Sequence, residues 1–187
     1  MKILLPSLAT IPKGRIFFHM LMRIPFVLTL LCMLSGVTIS ILFAVNESAF
    51  KEKIVSGLNK NVKIQQIVDP KAKEDKIKSE SDKNWRYYQR FHFHATGIGA
   101  MTMGILLFLS GLRAPRKHRA IASYLIAVGG ALYPFVWLFA GIYGPEMGRD
   151  EAKETFAFLG YMGGLFLLGG FYSLVLALCY VRENECS

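Results

Sequence analysis

The stretch FHFHATGIGAMTMGILLFLSGL, residues 91–112, decides the fold because it runs for 22 residues without Asp, Glu, Lys or Arg. A helix of about 20 apolar residues is long enough to cross the roughly 30 Å hydrocarbon core of a bilayer. Three more uncharged stretches of at least 22 residues lie at 24–45, 120–143 and 155–181. None of the four has the polar face of a helix in a soluble core. The sequence therefore predicts four transmembrane helices.

The overall composition supports a membrane protein. Of the 187 residues 53% are hydrophobic, yet 22 are Lys or Arg and the net charge is +9. This combination is typical of apolar spans whose charges are confined to the loops. Because the basic residues are divided between two sides, the positive charge indicates contact with lipid, and no nucleic-acid partner is expected. The first span is preceded by more than 20 residues, which favours an uncleaved signal anchor.

The predicted fold is an all-α integral membrane protein, a bundle of four transmembrane helices with one long outer loop. The predicted segments are a cytoplasmic N-terminal segment (1–23), the first span (24–45), the outer loop (46–90), the second span (91–112), a basic cytoplasmic loop (113–119), the third span (120–143), a second outer loop (144–154), the fourth span (155–181) and a cytoplasmic tail (182–187).

The outer loop of about 45 residues is predicted to contain short amphipathic helices. Phe50, Ile54 and Leu58 are spaced four apart, as on one face of a helix. Asp69-Pro70 predicts a break in the chain. The mixed-charge sequence after this break predicts a helix that runs directly into the second span.

The orientation in the membrane follows from the basic residues of the short loops. The segment 113–119 has four Lys or Arg and no acid, whereas 144–154 has two against four acids. The sequence thus predicts cytoplasmic N and C termini, in a bacterial inner (plasma) membrane. The 11 Lys and Arg of residues 46–90 oppose this orientation, but long loops are translocated with little regard to charge.

Small residues recur at helical spacing in the second, third and fourth spans, as in Ala95-x3-Gly99, Ala127-x3-Ala131 and Gly160-x3-Gly164. Such pairs allow helix backbones to approach closely in lipid. They predict a tight bundle of the last three helices, with the first span at the side or against a partner. Pro134 predicts a kink in the third span.

Two histidines, His92 and His94, begin the second span. Residues two apart on a helix point about 200° away from each other, so at most one is expected to face the bundle. His94 is the better candidate, with Trp137 and Met162 at similar depth on other helices. One hypothesis is that His94, with His92 or Met162, binds haem b or copper near the outer face.

Imidazole and thioether groups suit either cofactor, and a copper site would use His94 with Met101, Met103 or Met162. A haem held by two histidines normally takes them from two helices, and no second helix has an outer-side histidine. The other hypothesis is that both histidines are interfacial groups within an aromatic belt. Both hypotheses stay open at this point.

Other function classes lack their motifs. There is no GxSxG, HExxH or phosphate-binding loop, no carboxylate in any span, and no metal-ligand spacing among the three cysteines. We therefore expect no catalysis. The sequence favours an accessory, assembly or scaffold subunit that contacts the lipid bilayer and either other membrane subunits or a second copy of itself. The alternative is a membrane redox protein that carries haem b or copper.

Overall fold

The computed structural model describes the backbone of residues 13–181 and the side chains of residues 23–180. The first 12 residues and the predicted tail at 182–187 lie outside the described residues. Throughout the described part the regular structure is α-helical. Its helices are α1 (Lys13–Lys60), α2 (Val62–Gln65), α3 (Pro70–Gly111), α4 (Arg116–Leu132), α5 (Phe135–Met147), α6 (Arg149–Thr155) and α7 (Ala157–Val181).

Four helical segments are long and apolar enough to cross a membrane, as the sequence predicted. They are Arg23–Lys60 within α1, α3, α4 joined to α5, and most of α7. The helices at one end of the molecule are longer than the predicted spans. α1 continues to Lys60 beyond a non-helical residue, Asn46 (φ −148°, ψ 52°), and α3 begins at Pro70.

Two prolines set boundaries where the sequence predicted them. The side chain of Asp69 accepts hydrogen bonds from the amides of Lys71 and Ala72, and Pro70 occupies the first turn of α3. This is a favourable helix start, because proline has no N–H that would need a partner there. α3 then runs without interruption into the second span. α4 ends before Pro134 and α5 begins after it, because proline cannot donate the internal hydrogen bond.

The order of the helices differs from the prediction. α1 packs mainly along α3, both of them also contact α4 and α5, and α7 packs mainly on α4. The expectation that α1 lies at the side of a bundle of the last three spans was therefore wrong. Small residues of α3 face α1: a Cβ added to Gly36 would lie 2.8 Å from the Cβ of Ala95. Sequence spacing shows which residues share a face, but not which helix that face meets.

At one end of the molecule, extensions of the helices form a structure that we call the cap, residues 47–90 and 144–156. Ile54, Leu58, Ile64 and Tyr88 form its buried apolar cluster, and Phe50 packs against them. The face predicted from the four-residue spacing thus packs inward. At the opposite end lies the basic segment 113–119.

Candidate functional site

His94 lies on α3 at the cap end of the second span, and its ring is fixed by its own helix. Its Nδ1 is 2.7 Å from the carbonyl oxygen of Arg90. Because a carbonyl oxygen only accepts, Nδ1 carries the hydrogen, and in the neutral ring Nε2 keeps its lone pair. Histidines that bind metals through Nε2 are commonly oriented in this way. The geometry leaves Nε2 of His94 chemically competent as a ligand.

Aromatic rings surround His94. Its ring centroid is 5.4 Å from that of Tyr133 and 5.8 Å from that of Trp137. One turn nearer the cap, the Arg90 guanidinium lies 4.9 Å from the Trp137 ring and 5.7 Å from the Tyr87 ring. Cations at such distances are attracted to ring faces. We call Tyr87, Arg90, His94, Tyr133 and Trp137 the histidine site.

Trp137 contributes an unused hydrogen-bond donor to this site. Its Nε1 is buried and has no hydrogen-bond partner among the described residues. A buried donor without an acceptor costs roughly 1–3 kcal/mol. The histidine site therefore combines a cation, an imidazole and a free indole N–H, and an anion or a hydrogen-bond acceptor is the chemistry that suits it.

His92 has a different environment. Its Nδ1 lies 2.8 Å from the carbonyl oxygen of Gly36, so it donates a hydrogen bond from α3 to α1. Phe93, between the two histidines, is 65% exposed. The expectation that only one histidine faces another helix was wrong, because α3 has neighbours on two sides. The structure does not bring His92 to the side of His94.

The methionines proposed as ligands lie on two different helices. Met101 on α3 is 58% exposed, and Met162 is half-buried on α7. The neighbour of Met162, Gly163, packs under the Tyr133 ring, and an added Cβ there would lie 3.1 Å from that ring. His94 and α7 therefore contact the same aromatic side chain. Among the described residues, no group of three or more His, Cys, Asp or Glu is placed to hold a metal ion.

Tyr87 and Tyr133 were not among the residues predicted for this site. Tyr87 precedes His94 by seven residues, a spacing that places both on one face of α3, whereas Tyr133 and Trp137 lie on either side of the break at Pro134. Helical spacing therefore contained the signal for Tyr87 but not for Tyr133. No family model, curated protein or solved structure matches this chain.

Proposed function

We propose that this chain is a small multi-pass membrane protein that acts as a non-catalytic accessory, assembly or scaffold subunit of a membrane complex. The observation that carries the proposal is the cap, a charged structure that is continuous with all four spans. A platform that is ordered before binding loses little conformational entropy when a partner docks.

Polar contacts between distant parts of the chain hold the cap together. Asn61 Nδ2 donates to the carbonyl oxygens of Pro145 (3.3 Å) and Glu146 (3.0 Å). Arg149 Nε lies 2.7 Å from a carboxylate oxygen of Glu80. These contacts fasten the end of α1 and the start of α3 to the α5–α6 connection. The cap is thereby built as one unit above the spans.

The surface of the cap has the composition of a docking surface. Its sequence contains many Lys and Glu side chains but no His or Cys, the residues used most often as general base or thiol nucleophile. Charges of both signs favour a specific partner and a defined register, and they raise the association rate. Recognition is therefore the better use of this surface than catalysis.

In this proposal the cap lies on the outer side of a bacterial inner membrane, and both termini and the basic segment 113–119 lie in the cytoplasm. The basic residues of that short segment support this orientation. Single cysteines introduced at Ser79 in the cap and at Lys117 in the basic segment test it, in a background without native cysteines. A membrane-impermeant thiol reagent applied to intact cells is expected to label only the first, and the reverse result contradicts the orientation.

The subunit proposal is tested with the full chain solubilised in mild detergent from its own membranes. We expect the affinity-tagged chain to migrate as a complex larger than its own 21.0 kDa and to carry a partner in fixed stoichiometry. An affinity tag placed on the partner should in turn recover this chain. Lys71→Glu with Lys78→Glu should release the partner, whereas Lys71→Arg with Lys78→Arg should retain it. A chain that migrates alone, with and without cross-linking, contradicts the proposal.

The second candidate is a membrane redox protein with haem b or copper bound by His94. The fixed ring with a free Nε2 favours it, and Met162 or Met101 is the proposed further ligand. A visible spectrum and a metal analysis of the purified protein test it. A Soret band or stoichiometric copper that is lost in His94→Ala but kept in Lys78→Gln supports this candidate, and a colourless protein without metal rules it out.

A further inference from the structure

A half-open cavity of about 190 Å³ lies in the cap, where the end of α1 and α2 meet α3, α5 and α6. It shares no residue with the histidine site. At about 30 Å³ for each water molecule, it has room for roughly six non-hydrogen atoms. Leu58 and Ile64 line part of the wall, and the rest of the lining is mostly polar and charged.

Asn84 lines this cavity and carries an unused acceptor. Its side chain is fully buried, and Nδ2 donates to the carbonyl oxygen of Glu80 at 2.8 Å. Its Oδ1 has no hydrogen-bond partner in the described part of the chain. A Cβ at position 144 would lie 2.8 Å from this oxygen, so Gly144 leaves it the necessary space. A buried acceptor without a donor is unfavourable, and a ligand with an N–H or O–H would relieve this.

Three cations contact the carboxylate of Glu80, within a cavity lining whose cations (Lys63, Lys76, Arg149) and carboxylates (Glu80, Asp150, Glu151) are equal in number. The Glu80 carboxylate lies 2.7 Å from Arg149 Nε, 3.1 Å from Lys83 Nζ and 3.3 Å from Lys76 Nζ. Lys76 and Arg149 also line the cavity. Although burial opposes the charge, Glu80 raises the pKa of Arg149, so the guanidinium stays protonated. Three cations that share one carboxylate leave a favourable place for a second anion.

We propose that the cavity binds a small carboxylic acid with a hydrogen-bond donor on its α-carbon, and specifically an α-amino acid. The carboxylate would lie near Lys76 and Arg149, and the donor would serve Asn84 Oδ1. Asp150 and Glu151 also line the cavity. Each is paired with a lysine through one oxygen, Lys153 and Lys63 respectively, and the second oxygen of each favours an amine over a hydroxyl. Glycine and alanine have the size that the volume allows.

The proposal is tested on the full chain in detergent micelles, by isothermal titration and thermal shift with glycine, alanine, lactate, acetate and glycine betaine. Glycine and alanine are expected to bind, with lactate weaker. Acetate has no second group, and betaine has the same charges as glycine but no N–H. Both should bind at least about tenfold more weakly, the factor that loss of one charge-assisted hydrogen bond produces.

Variants test separately the contact of the ligand carboxylate with Lys76 and the contact of the ligand donor with Asn84. Lys76→Gln should weaken glycine binding about tenfold, whereas Lys53→Gln, at an exposed position outside the cavity, should not. Asn84→Asp keeps an acceptor and should retain the preference for glycine over acetate, and Asn84→Leu should abolish it. Absence of heat and thermal shift with every compound at millimolar concentration overturns the proposal and leaves a water-filled cavity. Equal binding of acetate and glycine overturns the role of Asn84.

Discussion

The cap and the spans are stabilised by different means. In the cap, long side chains connect elements that are distant in sequence, as in the Glu80–Arg149 pair. In the spans the buried hydroxyls of Thr29, Thr102 and Ser173 donate to carbonyl oxygens four residues earlier in the same helix, at 2.7–2.8 Å. Each of these hydroxyls is hydrogen-bonded within its own helix, so these bonds do not link one helix to another.

Close backbone approach joins the helices of the spans, together with a few side-chain hydrogen bonds such as that of His92 to Gly36. A Cβ on Gly169 of α7 would lie 2.7 Å from the backbone nitrogen of Ile126 in α4. Lipid gives apolar helices no hydrophobic reason to associate, so fitted packing must supply the attraction. The cap faces water and gains from burying apolar area. Added volume should therefore be the most damaging change in the spans, and loss of a polar contact the most damaging change in the cap.

The largest effect is expected for Gly169→Ala. The new methyl group meets the backbone of α4, which cannot rotate away, so α4 and α7 must separate. Overpacking of this kind costs about 1–3 kcal/mol, and we expect a value near the upper end. The measurement is the free energy of unfolding in mixed micelles.

The adjacent glycine is the matched control for this prediction. A Cβ on Gly170 would have nothing within 4 Å, so Gly170→Ala should be neutral or stabilise the protein by about 0.5–1 kcal/mol through helix propensity. Equal destabilisation by the two variants would show that close approach of α4 and α7 does not hold the spans together.

The second effect, in the cap, is expected for Asn61→Ala. The variant loses two hydrogen bonds to the carbonyls of residues 145 and 146 and the cap of α2, at a cost of about 2 kcal/mol. Limited trypsin digestion should then cleave faster within residues 47–90. The exposed Asn59 makes no side-chain bond of this kind, so Asn59→Ala should digest as the wild type does, and equal rates in all three proteins would contradict the prediction.

Local signals in the sequence were sufficient for the four apolar spans and for two breaks in the helices, but not for the full lengths of α1 and α3. The length of each uncharged stretch is set by the bilayer, and the breaks at Asp69-Pro70 and Pro134 are set by the missing N–H of proline. These properties depend only on neighbouring residues, so they were predicted correctly.

Which helices pack against each other could not be predicted from such local signals. Gly99 and Gly164 belong to similar small-residue pairs, but Gly99 packs on Met33 of α1 whereas a Cβ on Gly164 would have nothing within 4 Å. A pair of small residues shows that one face of a helix lacks bulky side chains, but it does not show that another helix packs on that face. The cap contacts of Glu80 and Asn61 join residues more than 65 positions apart, where no periodicity connects them. The same limit explains why His92 was not predicted to face α1.

A third and smaller effect is expected for His92→Ala. This histidine makes a side-chain hydrogen bond between two spans, to Gly36, and its loss should cost about 1 kcal/mol. The bond of His94 is to its own helix, so His94→Ala should change the α1–α3 contact less. Disulfide trapping of cysteines introduced on α1 and α3 measures this contact, and slower trapping only in the His94 variant would contradict the assignment.

The smallest effect is expected at the exposed Lys63–Glu151 ion pair of the cap. The hydrogen bond from Lys63 lowers the pKa of Glu151 below its ordinary value of 4.5, and its partner raises the pKa of Lys63 above 10.5. A lowered carboxyl pKa stabilises the fold above pH 4.5, and the stabilisation is lost as the pH falls through the folded-state value. The raised pKa of Lys63 stabilises the fold below pH 10.5, and this stabilisation is lost as the pH rises through the folded-state value.

Between these two limits the thermal midpoint of the wild type should exceed that of Glu151→Gln slightly, while Glu154→Gln should match the wild type. Because the pair is solvent-exposed, added salt should also reduce the difference. A difference between the wild type and Glu151→Gln that persists unchanged at pH 3 would show that the ion pair does not connect α2 to α6.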